Sequence, residues 1–112
     1  MVEKQLYVDP VLYSRVNLKR IETGDFDTFQ DIVAFVWTVY LKENFPIRGY
    51  RTERGEIIYT TQMQRTSVRF PEELYKRIQN KLNEFGKIVY GKINFSHITH
   101  ELLKRIYLNN EY

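Results

Sequence analysis

The chain has 112 residues, 43% hydrophobic and 28% charged, with no cysteine and a formal net charge of +3. That length suits one domain, or two very small ones sharing a core, since a unit of roughly 50 residues buries too little apolar surface to stand alone. The missing cysteines exclude a disulfide scaffold and any thiolate metal site. The longest apolar stretch, Ile32 to Leu41, is far shorter than the ~20 residues of a membrane span and reads as a buried helix. Val2-Glu3-Lys4 shows no secretory pattern, so a cytoplasmic protein is expected, in the host cytoplasm if the source is a virus. Charge is uneven: residues 1–47 carry five Lys/Arg and seven Asp/Glu (−2), and residues 48–112 carry twelve and seven (+5). A basic half is compatible with a polyanion partner, or with a solvated surface.

In chain order, Leu6 and Val8 alternate with Gln5 and Tyr7, the period of a half-buried strand over about residues 4–8. Pro10 suits the first position of a helix, where its missing N–H is not needed, and the helix is predicted to run to about residue 22, before Gly24. Thr28 can cap a second helix, with Asp27 and Asp31 complementing its dipole. From Phe29 to about Asn44 that helix is apolar nearly all round, which places it, with Trp37, at the centre of the fold. Glu53-Arg54-Gly55 signals a turn, and residues 56–61 are rich in strand formers, so at least one extra strand is expected there, alone or in a hairpin with residues 49–52.

A second strand follows where Thr66, Val68 and Phe70 alternate with Arg65, Ser67 and Arg69. Pro71 opens another helix, with Leu74, Ile78, Leu82 and Phe85 forming one stripe before Gly86. Asn94 or Ser96 can cap the last helix, which turns Phe95, Ile98, Leu102, Leu103 and Ile106 inward. The order strand, helix, helix thus occurs twice. The strands align at an offset of 62, and the second helices, matching Phe29 to Phe95 and Ile32 to Ile98, at 66. Residues 1–46 form the first copy, 47–64 a connection and 65–112 the second, all within one compact domain.

The run Arg65-Thr66-Ser67-Val68-Arg69-Phe70-Pro71-Glu72-Glu73-Leu74-Tyr75, followed by Asn94-Phe95-Ser96-His97-Ile98 and Leu102, resembles the ribbon-helix-helix family of DNA-binding proteins. The resemblance covers residues 65–86 and 94–109, and in weaker form 3–24 and 27–42. It implies an α+β fold: a duplicated ribbon-helix-helix with an antiparallel β-ribbon, at least one extra strand, and a four-helix core. Both copies lie in one chain, an intramolecular pseudo-dimer that resembles duplicated regulators encoded by viruses of archaea.

The family's ribbon enters the major groove of double-stranded DNA, where Arg takes guanine and Gln takes adenine. The resemblance therefore implies Gln5, Tyr7, Arg65, Ser67 and Arg69 as base readers, with Glu3 on the same outer row. It also sets the start of each second helix against phosphate, implying Asn94, Phe95 and Ser96, and Thr28 and Phe29 in the first copy, where Asp27 opposes an anion. The bland reading of Thr28, Asn94 and Ser96 is helix capping, and that of Arg65 and Arg69 exposed strand charge. Arg48, Arg51 and Arg54 are further candidates for the DNA backbone. The extra strand would either flank the ribbon or cover it.

His97 and His100 share a helical face and with Glu101 loosely suggest a metal site, but their order matches no zinc helix motif, and they are read as exposed helix residues. No phosphate loop or nucleophile signature occurs, so neither an enzyme nor a cofactor is expected. The reading is a sequence-specific transcription regulator, with further self-association on DNA open. The alternative is a protein-interaction or structural module that keeps the fold without binding DNA. An antitoxin is set aside, because the last helix leaves no toxin-binding tail before Tyr112.

Overall fold

The fold was analysed in a computed structural model, which describes residues 1–43, 64–88 and 95–110. Strand β1 spans Val2–Val8, helix α1 Pro10–Thr23 and helix α2 Phe29–Glu43. Strand β2 spans Gln64–Phe70, helix α3 Glu72–Ile88 and helix α4 Phe95–Leu102, which continues as a π-helical segment, Leu103–Leu108. The result is an α+β fold: one two-stranded antiparallel sheet and, among the described residues, four helices. The expected strand at 56–61 and its hairpin lie outside the described residues. Gln64, placed with the connection by sequence, belongs to β2.

Local chemistry sets the element boundaries. Asp9 caps α1: its carboxylate accepts the N–H of Val11 at 3.4 Å, and Pro10 occupies the first helical position. Gly24 closes the same helix in the left-handed conformation, φ 66° and ψ 20°, and donates its N–H to the Arg20 carbonyl at 2.8 Å. A side chain there would strain the backbone, which is why the helix stops at a glycine. Gly86 behaves differently. Helix α3 continues through it to Ile88, contrary to the turn expected there. Glycine ends a helix only where the chain turns left-handed; inside one it costs about 1 kcal/mol relative to alanine, which a helix can tolerate.

Strand alternation sends Leu6, Val8, Val68 and Phe70 to one side of the ribbon, all at 0% exposure. They meet α2 and α4, whose Ile32, Val33, Val36, Trp37, Ile98 and Leu102 are also at 0%. Phe70 meets Phe95 edge-on with ring centroids 5.8 Å apart, and Phe95 stacks on Trp37 at 5.7 Å. The Trp37 indole donates to the Thr99 hydroxyl at 3.0 Å, which in turn donates to the Phe95 carbonyl at 2.7 Å. The Trp37 indole and the Thr99 hydroxyl are thus both paired, as burial away from water demands.

The C-terminal segment is tied to α1 and to the turn that follows it by side chains. Tyr107 donates its hydroxyl to the Asp25 carboxylate at 3.0 Å, and the Lys19 ammonium lies over the Tyr107 ring and donates to its carbonyl.

Candidate nucleic-acid interface

The register of the ribbon decides what its outer face offers. Glu3 stands opposite Arg69, Gln5 opposite Ser67, and Tyr7 opposite Arg65. All six are exposed, while their inward neighbours, apart from Gln64 at the start of β2, are buried or half-buried. The five expected base-reading residues, with Glu3, therefore form two adjacent rows on one surface. Their formal charges are one carboxylate and two guanidiniums. At the centre, the Gln5 amide donates to the Ser67 hydroxyl at 3.0 Å. Tyr7 is 46% exposed, an aromatic ring left at the surface rather than placed in the core.

Both edges of the ribbon are anchored at the start of a core helix. The Ser96 hydroxyl accepts the Tyr7 N–H at 3.0 Å, and the Gln30 amide donates to the Arg69 carbonyl at 3.5 Å. Tyr7 and Arg69 are 62 apart, and Gln30 and Ser96 are 66 apart, the two offsets already found in the sequence. A tie in one half thus has a counterpart in the other.

The expected phosphate contacts divide. Phe95 and Ser96 sit at the start of α4, yet both side chains turn inward, at 4% exposure each, Phe95 into the aromatic stack and Ser96 onto β1. At the start of α2, the Thr28 hydroxyl accepts the Asp31 N–H at 3.2 Å, so it caps its own helix. Asp25, Asp27 and Asp31 are all exposed around that end, and their charges oppose an anion. Asn94, Arg48, Arg51 and Arg54 lie outside the described residues.

The histidines are not the exposed pair expected from sequence. His97 is 7% exposed and His100 half-buried. The first turn of α4 is enclosed on every side, Phe95 to Thr99 being buried without a break, so helical spacing alone misjudged which residues meet water. His100 Nε2 accepts the Asp9 N–H at 3.3 Å, which requires that nitrogen unprotonated. Burial, and then the neighbouring His100, push the His97 imidazole down from 6.5 to about 4. Burial, and then Lys104, also lower His100, with Asp9 acting in the opposite sense. Among the described residues, no group of three or more His, Cys, Asp or Glu is placed to hold a metal ion. No described helix is long and apolar enough to cross a membrane.

Sequence reasoning passed over the outer face of α1. Val11, Leu18 and Ile21 are 66%, 58% and 69% exposed there. The signal was in the repeat itself: 62 positions on stand Glu73, Asn80 and Asn83, all polar and exposed, so the fold does not require apolar residues at these sites.

Set against family models, curated proteins and solved structures, the chain matches none of them.

Proposed function

We propose that the chain is two fused ribbon-helix-helix units, a pseudo-dimer within one polypeptide, that reads duplex DNA with the outer face of its ribbon as a transcription regulator. The register carries this reading. A shift of 62 takes Glu3, Gln5 and Tyr7 to Arg65, Ser67 and Arg69, and across the ribbon those rows oppose each other in reverse order about the Gln5–Ser67 pair. Two copies related by a local twofold axis produce that arrangement. The paired ties of Tyr7 to Ser96 and Arg69 to Gln30 support the same axis.

A two-stranded ribbon fits the major groove, and Arg65, Arg69 and Gln5 carry the donor and acceptor sets that separate guanine from adenine there. The two ends differ, Tyr7 with Arg65 at one and Glu3 with Arg69 at the other, so the site read by one chain is asymmetric. The test is selection of binding sites from a random duplex pool, with Arg65→Ala/Arg69→Ala as control. Enrichment of a defined, asymmetric site that the double variant loses is the expected result. No enrichment, or a site indifferent to the double variant, refutes the proposal.

The exposed Val11, Leu18 and Ile21 favour a second reading, a protein-interaction module on the same fold. Salt separates the two, because a DNA complex that neutralises phosphates loses affinity steeply as salt rises, whereas an apolar contact does not.

A further inference from the structure

We infer that Ser67 is a positioning residue that holds the Gln5 amide for adenine, at the base pair nearest the centre of the site. This deepens the DNA-reading proposal and rests on it. The two residues face each other directly across the ribbon, both exposed, and Gln5 Nε2 donates to Ser67 Oγ at 3.0 Å. A primary amide has two N–H donors and an acceptor oxygen. One N–H is engaged by Ser67, and the other, with Oε1, remains for the groove. Adenine presents N7 as an acceptor and N6–H as a donor side by side, and this free pair is its complement. Guanine presents two acceptors there, so one of them would meet the amide oxygen.

Ser67 Oγ, having accepted from Gln5, keeps its own proton to donate to an acceptor on a neighbouring base. A glutamine side chain left free on a strand surface must be ordered when it binds, at an entropic cost that the cross-strand bond removes beforehand. Truncating Ser67 is therefore expected to lower the preference for adenine at that pair by roughly 3- to 10-fold. Contacts elsewhere on the ribbon are unaffected.

The experiment begins with the site selected by the wild-type chain, in which Gln5→Ala marks the base pair that Gln5 reads. Affinities are then measured for duplexes carrying each of the four bases at that pair, using wild type, Ser67→Ala, Ser67→Thr and the Gln5→Ala/Ser67→Ala double variant. The expected pattern has four parts: adenine preferred by wild type, the preference reduced in Ser67→Ala, restored in Ser67→Thr, and no lower in the double variant than in Gln5→Ala. Thermal melting should be unchanged in Ser67→Ala, since the residue is exposed and lends the core no contact. An adenine preference that survives Ser67→Ala, or a preference for guanine in the wild type, overturns the inference while leaving DNA binding intact. A wild-type chain that selects no site instead removes the reading on which it rests.

Discussion

Acid should weaken this protein at pH values where its carboxylates are still charged, and His97 supplies the cause. In the unfolded chain its imidazole titrates near the ordinary 6.5, and in the folded chain near 4. Between those values the unfolded state binds a proton that the folded state refuses, so stability is complete above about 6.5 and is lost as pH falls. For a single group with these two constants, the loss from pH 7.5 to pH 5 is about 2 kcal/mol. His100 is lowered in the same direction and adds to it, because its Nε2 accepts the Asp9 N–H only when unprotonated. For a domain of this size 2 kcal/mol corresponds to a fall in Tm of roughly 10 °C. The assay is urea unfolding at pH 7.5, 6.5, 5.5 and 5.0 for wild type and His97→Gln. The variant should lose clearly less stability over that range. Equal losses in the two proteins, or an NMR titration placing the His97 imidazole near 6.5, would refute the reasoning.

Other expectations concern the core and the turn. Thr99→Val should cost about 1–3 kcal/mol in chemical denaturation, because it leaves the fully buried Trp37 indole N–H without its acceptor. Gly24→Ala should cost about 1–2 kcal/mol from backbone strain alone, since an added Cβ meets nothing within 4 Å while φ stays at 66°. Equal stability of that variant and wild type would show that the turn relaxes out of the left-handed region. Phe70→Ala should remove about 3–5 kcal/mol, and a loss under 1 kcal/mol would mean that the ribbon does not pack on Phe95 and Trp37 as described.

Much of the fold was legible because short-range rules govern it. Alternation over Leu6 and Val8 and over Val68 and Phe70 is a two-residue period, and such a period on a chain with one buried face admits only one choice of inner row. Pro10 and Gly24 bracket α1 for reasons contained in single residues, a fixed φ and freedom from the Cβ clash. Other features depend on what arrives from far along the chain. Gly86 carries the same letter as Gly24, yet α3 passes through it, since glycine permits a left-handed turn without requiring one. His97 has the spacing of a surface residue and is buried because β1, β2 and α2 enclose the start of α4. Phe95 and Ser96 could be assigned to the head of a helix from sequence, but that their side chains turn inward to Trp37 and Tyr7 is a fact of assembly. The sequence by itself determined which residues face outward on each strand, because pleating is local. Only the tertiary structure decided which of them stand together, Glu3 with Arg69, Gln5 with Ser67 and Tyr7 with Arg65, because register is a relation between two strands that no single stretch of chain contains.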